Sequence, residues 1–128
     1  KLNSTTAMVV HGYEGLDEIS TTSSTKISYL KEDSKIKSMA ISPSDYGFST
    51  TTIENLKGGE PIENANIILD ILKNEDKGPK RDIVILNSGA GILIGGMAST
   101  IEEGIALAEE SISSGMALKK LNELISVK

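Results

Sequence analysis

The chain has 128 residues, which suits a single domain, and 18 acidic against 13 basic side chains give it a net charge of −5. An acidic chain without a basic patch is not expected to bind nucleic acid. The absence of cysteine excludes disulfides and thiolate chemistry and suits a cytoplasmic protein. The longest apolar stretch, residues 83–94, is interrupted by Asn87 and Ser88 and is too short to cross a bilayer.

The first predicted element is a short buried strand at residues 7–10, which ends at His11 and Gly12. A short loop follows and leads to two adjacent carboxylates, Asp17 and Glu18. Ligand sites of open α/β sheets lie just past strand ends, and Mg²⁺ is commonly held by one or two carboxylates plus phosphate oxygens. Taken alone, the spacing favours a charged surface loop over a metal site, because Asp-Glu pairs are common on surfaces.

A β-hairpin is predicted next. Residues 25–31 and 35–41 are rich in β-branched and aromatic side chains and flank a turn-like sequence at 32–34. Pro43 ends the second strand, and residues 42–52 are predicted to form a loop in which Asp45 and Tyr46 supply a turn and a packing residue.

Helices are predicted for most of the remainder. One begins at Pro61 and ends near Asn74, with apolar side chains at helical spacing. Another runs over residues 100–114 behind a capping box of Ser99 and Glu102, and a last one covers residues 116–125. Residues 81–95 have the composition of a buried strand or of a helix buried on all sides, and periodicity alone does not decide between the two.

Several other motifs favour structural roles. Gly89 and Gly91 lack the third glycine of a dinucleotide fingerprint, and the Lys-Gly-Gly sequence at 57–59 lacks the ending of a phosphate loop and favours a helix entry turn. His11, the only histidine, could act as a base or a ligand, but with no second histidine or thiol it favours a structural bond to a backbone carbonyl. Hydroxyls at 20–21 could contact phosphate or metal-bound water, although loop capping is their commoner role.

An ordered series of motifs resembles a known family. VVHGYEGLDEIS at residues 9–20 is similar to the VVHG-x-x-GLDE segment of anthranilate phosphoribosyltransferases, in the nucleoside phosphorylase/phosphoribosyltransferase family. The likeness continues, in order and with similar spacing, through SPSDYG, LKGG, ENA, KGPKRD, LNSGA, IEEG and SGMAL. It therefore covers nearly the whole chain.

The resemblance implies an α/β fold in which a mixed β-sheet is covered by helices. Residues 1–128 would form the C-terminal part of the phosphoribosyltransferase α/β domain, with the first strand inside the sheet and the hairpin nearer an edge. Residues 81–95 would form a buried helix in which Gly89 and Gly91 allow close helix packing.

The resemblance also implies part of an enzyme that transfers phosphoribosyl from phosphoribosyl pyrophosphate to anthranilate in tryptophan biosynthesis, with Mg²⁺ held by Asp17 and Glu18. The intact enzyme is expected to bind both substrates and to form a homodimer. The family's Gly-Thr-Gly-Gly-Asp diphosphate loop does not occur in this sequence, and the family's anthranilate-contacting residues precede the VHG strand. We therefore expect a C-terminal portion that is inactive alone.

Two alternatives remain open at this point. A pyrimidine nucleoside phosphorylase relative would share the architecture and use phosphate as acceptor, although the LDE, SPxDYG and GPxRD series favours the transferase. A non-catalytic folding or assembly module is the other. A Gly-Thr-Gly-Gly-Asp motif upstream in the gene would identify the transferase.

Overall fold

The computed structural model describes residues 5–31 and 35–127, which form a three-stranded sheet and a set of helices. The strands are β1 (Ala7–Gly12), β2 (Thr25–Leu30) and β3 (Ile36–Ile41). They lie in the order β1-β2-β3, and both pairings are antiparallel. Gly12 of β1 lies opposite Thr25, so the sheet places the end of β1 beside the start of β2.

The predicted α/β class is confirmed, but the arrangement of the strands differs from the expectation. β1 lies at one edge of the sheet and β2 lies in its centre, and both described pairings are antiparallel where a mixed sheet was expected. Only one face of β1 is buried, although the strand is apolar on both faces. Met8 and Val10 pack against the core, whereas Val9 is 69% exposed. The two strands of the hairpin are confirmed, and the turn predicted at 32–34 lies outside the described residues.

The predicted helices are all present within one or two turns of their expected bounds. A 3-10 helix in the segment predicted as loop begins at Pro43, where the Asp45 side chain caps it by accepting from the Ser42 N–H at 2.7 Å and the Asp45 N–H donates to the Ser42 carbonyl at 3.0 Å. The full set is this 3-10 helix at Pro43–Tyr46, α1 (Ile53–Leu56), α2 (Pro61–Leu72), α3 (Pro79–Ile94), α4 (Ile101–Ser113) and α5 (Met116–Ser126).

The start of α4 corrects the predicted capping box by one residue. Thr100, not Ser99, is the N-cap, and its hydroxyl accepts a hydrogen bond from the Glu103 N–H at 3.2 Å. Glu103 Oε2 accepts in return from the N–H of Ser99 at 2.8 Å. The hydroxyl-to-acid spacing of three residues occurs at both 99–102 and 100–103, so the sequence pattern alone did not fix the first residue.

The hydrophobic core lies between the sheet and helices α3 and α4. Helices α3 and α4 cross at Gly89 and Gly104: a Cβ on Gly104 would lie 2.2 Å from the Gly89 carbonyl oxygen. The predicted packing role is thus confirmed for Gly89 and wrong for Gly91, whose Cβ would meet no atom within 4 Å. The core consists of Ile19, Ile27, Ile41, Ile71, Ile85, Leu86, Ala90, Ile101, Ile105, Ala108 and Ile112.

Candidate metal-binding loop

The loop that joins β1 to β2, residues 13–24, carries the two predicted metal ligands; we call it the carboxylate loop. Asp17 and Glu18 are both exposed, as predicted. Within residues 5–31 and 35–127, no group of three or more histidine, aspartate or glutamate side chains is arranged to hold a metal ion. The loop therefore presents two adjacent exposed carboxylates, and no third histidine or acidic side chain of the described residues joins them in such a group.

Backbone hydrogen bonds fold the first half of the carboxylate loop into a tight turn. The Gly12 N–H donates to the Leu16 carbonyl at 2.8 Å, and the Gly15 N–H donates to the Gly12 carbonyl at 2.9 Å. Gly15 has φ of +108°, a conformation that side chains with a Cβ rarely adopt. The Tyr13 N–H donates to the Ser24 carbonyl at 3.0 Å and holds the two ends of the loop together.

The second half of the loop is fastened to helix α3 by Asn87. Its side-chain oxygen accepts from the Ile19 N–H at 2.9 Å, and its side-chain NH₂ donates to the Ile19 carbonyl at 2.8 Å and to the Ile83 carbonyl at 2.9 Å. Ile19, which directly follows Glu18, is 1% exposed. The Asn87 side chain therefore provides hydrogen-bond partners for both the N–H and the carbonyl of Ile19. Ile19 is the buried residue that attaches the neighbouring carboxylate pair to the core.

Ser20 and Thr21 are buried, and their backbones continue this anchor. The Ser20 N–H donates to Thr25 Oγ1 at 2.9 Å, and the Thr21 carbonyl accepts from the Thr51 N–H at 2.9 Å. The hydroxyl of Thr21 is enclosed without a hydrogen-bond partner among the described residues. The Ser20 hydroxyl accepts from the N–H groups of Thr22 and Ser23, which is the predicted loop-capping role, whereas the Thr21 hydroxyl caps no described backbone group.

Glu14 is the residue of this loop that sequence reasoning missed. Its carboxylate accepts hydrogen bonds from the hydroxyls of Ser20, Thr22 and Ser23. Burial raises the pKa of the Glu14 carboxyl, but the bonds from Ser20, Ser23 and Thr22 outweigh burial and lower this pKa from 4.5 to about 2. An acid followed by a run of hydroxyl residues was the signal available in the sequence.

The lowered pKa of Glu14 predicts a loss of stability in acid. A carboxyl with a lower pKa in the folded than in the unfolded state stabilises the fold above the unfolded value, and this stabilisation disappears as the pH falls through the folded value. We therefore expect the free energy of unfolding to decrease between pH 4.5 and about 2 by an increment that the Glu14→Gln variant lacks. Urea unfolding of both proteins across that range measures this increment. If the free energy of unfolding falls with pH in parallel for the two proteins, the prediction is contradicted.

His11 does not play the predicted structural role. It is exposed at the end of β1, opposite Lys26 in the sheet. Its ring makes no hydrogen bond with any described residue, so the expected bond to a backbone carbonyl is wrong. The loop is held instead by Asn87, which binds the backbone of Ile19, and by Glu14, which binds hydroxyls of residues 20–23.

A cavity of about 250 Å³ lies behind the carboxylate loop, between β1 and α3. It is lined by Met8, Val10, Ile19, Asn87, Ala90, Gly91 and Ile94. Asp17 and Glu18 do not line it. The cavity is mostly apolar and so resembles a packing surface more than a site for phosphate.

The pattern of the glycosyl transferase family, a/b domain, matches residues 1–118, and the chain belongs to this family. Among its relatives is the anthranilate phosphoribosyltransferase of Clostridium beijerinckii, which is 51% identical over 121 residues; the match covers 94% of this chain and 35% of the relative. The family resemblance of the motifs is thereby confirmed.

Solved structures agree with this assignment. The anthranilate phosphoribosyltransferase of Thermus thermophilus superposes with a TM-score of 0.79 at 36% identity, over 92% of this chain and 34% of that one. The enzyme from Saccharomyces cerevisiae, in complex with PRPP and Mg, superposes with a TM-score of 0.80 at 29% identity, over 90% of this chain and 33% of that one. The chain thus spans about a third of the length of the proteins that it resembles.

Proposed function

We propose that this chain forms the metal-binding part of an anthranilate phosphoribosyltransferase, with Asp17 and Glu18 as ligands of Mg²⁺. The observation that carries the proposal is the exposed pair of carboxylates on an anchored loop, in a chain of the glycosyl transferase family. The whole enzyme would transfer phosphoribosyl from phosphoribosyl pyrophosphate to anthranilate, a step of tryptophan biosynthesis.

The donor set suits the proposed ion. Carboxylate oxygens are hard ligands, and Mg²⁺ retains several waters and takes only one or two carboxylates together with phosphate oxygens. Two exposed carboxylates, in described ranges where no three histidine or acidic side chains group to hold a metal ion, suit that requirement. When bound, the ion would neutralise charge that develops on the pyrophosphate leaving group. The chain's own contribution is to hold Asp17 and Glu18 in place before the substrate arrives.

The 128 residues alone are proposed to be inactive as a transferase. They contain no Gly-Thr-Gly-Gly-Asp sequence for the diphosphate, and positioning of both reactants is needed for such a reaction. The homodimer, the cytoplasmic location and the absence of a nucleic-acid or membrane partner are part of the same proposal for the intact enzyme. Within the described ranges, no helix is long and apolar enough to cross a membrane.

Calorimetric titration with MgCl₂ tests the metal site. The chain alone should bind Mg²⁺ weakly, with a dissociation constant on the order of millimolar. After subtraction of the binding of Mg²⁺ to pyrophosphate measured without protein, pyrophosphate should tighten the binding to the chain because it supplies the missing oxygens. The double variant Asp17→Asn/Glu18→Gln should lose the pyrophosphate-dependent gain. The control, Glu109→Gln/Glu110→Gln, changes another adjacent pair of exposed carboxylates, of which Glu109 lies 3.7 Å from Arg81, and it should keep the gain.

Two results would contradict the proposal. One is a pyrophosphate-dependent gain that survives in the Asp17→Asn/Glu18→Gln variant. The other is micromolar binding of Mg²⁺ by the unmodified chain without pyrophosphate, which would show a complete protein site. The relatives with about half of their residues identical to this chain are anthranilate phosphoribosyltransferases, so no observation favours the phosphorylase alternative.

A further inference from the structure

The carboxylate loop contains a contact that the proposed function does not use. Glu14 lies before Asp17 and Glu18, and the hydroxyls that bind it belong to residues six, eight and nine positions further along the chain. The contact therefore closes a ring of chain residues that includes the proposed metal ligands, Asp17 and Glu18. An ionised carboxylate that accepts from hydroxyl donors forms charge-assisted bonds, which are stronger than bonds between neutral groups.

Both oxygens of the Glu14 carboxylate are engaged in this contact. Oε1 accepts from the hydroxyls of Ser20 and Thr22, and Oε2 accepts from the hydroxyl of Ser23. The Ser20 oxygen in turn accepts from the backbone N–H of Thr22 at 2.9 Å and of Ser23 at 3.3 Å. The carboxylate thus completes a network that orders the backbone of residues 20–23, directly after the anchor at Ile19.

Gly12 provides the space for this arrangement. A Cβ at position 12 would lie 2.7 Å from Glu14 Oε2 and 3.3 Å from the Cβ of Ser20. A side chain there would push the Glu14 carboxylate away from its hydroxyl partners. The sequence Gly12-x-Glu14 therefore supplies both the acid and the gap into which it folds.

The geometry points to Glu14 as a positioning residue that closes the carboxylate loop and so fixes Asp17 and Glu18 for the metal. The inference rests on the proposed function, because it assigns Glu14 a role toward that metal site. Asn87 fixes the loop at Ile19, and Glu14 ties the first turn of the loop to residues 20–23. Asp17 and Glu18 lie in sequence between Glu14 and Ile19, so both attachments restrict the segment that carries them.

Glu14 could instead be a third metal ligand, and the two roles predict opposite effects for one variant. Replacing Thr22 by valine and Ser23 by alanine removes hydroxyl partners and leaves Glu14 in place. If Glu14 is a positioning residue, the loop loosens and metal affinity falls. If Glu14 is a ligand, its release from the hydroxyls leaves metal affinity equal or higher.

The experiment uses the 128-residue chain and two measurements. Amide hydrogen exchange reports the order of residues 16–19, and paramagnetic broadening by Mn²⁺ with pyrophosphate reports metal affinity at the same amides. We expect Glu14→Ala, Gly12→Ala and Thr22→Val/Ser23→Ala each to exchange faster in this segment and to bind Mn²⁺ with pyrophosphate about tenfold more weakly. The matched control Glu54→Ala, which removes an exposed carboxylate of the same charge elsewhere, should change neither.

Each outcome supports or overturns the inference. Combining Glu14→Ala with Thr22→Val/Ser23→Ala should add little to either change alone, since both remove the same contact. Faster exchange with unchanged Mn²⁺ affinity would leave Glu14 purely structural and overturn the inference, as would unchanged exchange. If the Asp17→Asn/Glu18→Gln variant binds Mn²⁺ as well as the unmodified chain does, the proposed function is contradicted. If that variant loses Mn²⁺ binding while Glu14→Ala keeps it, only the inference about Glu14 is contradicted.

Discussion

The Gly104→Ala variant is expected to lower the free energy of unfolding by about 3 kcal/mol, because helices α3 and α4 touch backbone to backbone at this point. The added Cβ would lie 2.2 Å from the Gly89 carbonyl oxygen and 2.9 Å from its carbonyl carbon. These are atoms of a helix backbone, so no side-chain rotation relieves the overlap. The two helices must separate, which opens the core around Ile105 and Ala108.

The control for this prediction is Gly91→Ala in helix α3. A Cβ at Gly91 would meet no atom within 4 Å, and its backbone is helical. Alanine is favoured over glycine in a helix interior by roughly 0.5–1 kcal/mol, so this variant should be slightly more stable than the unmodified chain. Urea unfolding followed by circular dichroism measures both variants. Equal effects of the two substitutions would show that the close approach of the helices at Gly89 and Gly104 is not maintained in solution.

Local patterns in the sequence predicted the elements of the fold well. The β-branched and aromatic residues on both sides of a turn-like sequence predicted the strands β2 and β3, and the helical spacing of apolar residues predicted α2, α4 and α5. The sequence of α3 is apolar on most sides, since it packs against both the sheet and α4, so its helical state followed only from the family resemblance. The cap at Thr100 was misplaced by one residue because two hydroxyl-acid pairs overlap there.

The edge position of β1 was not predictable in the same way. A run of four apolar residues is typical of a strand buried on both faces. In the structure Val10 packs toward the core and Val9 is exposed, so the run covers one buried face and one open face. Strand order depends on which segments pair, and a single strand's composition does not determine its neighbours.

Some features of the candidate site depend on residues close together in the sequence, and others depend on contacts between residues far apart in it. The exposure of Asp17 and Glu18 followed from their position after a strand-ending glycine, and their role as metal ligands stays a prediction. Asn87 contacts Ile19 across 68 positions of sequence, so no pattern near either residue indicates the contact. Glu14 lies close by in sequence, but its role depends on a turn that only the folded backbone reveals.

Replacing Asn87 by leucine is expected to destabilise the fold by about 3 kcal/mol and to loosen the carboxylate loop. Leucine has a similar volume, but it leaves the N–H and carbonyl of the buried Ile19 without partners, and each such group costs about 1–3 kcal/mol. The exposed Asn66 of helix α2 provides the matched control, since Asn66→Leu is a surface change of about 0.5 kcal/mol or less. Urea unfolding gives the stability, and amide exchange at Ile19 reports whether the loop has detached. A stable Asn87→Leu chain with a slowly exchanging Ile19 amide would show that burial of the isoleucine side chain, rather than the hydrogen bonds of Asn87, anchors the carboxylate loop.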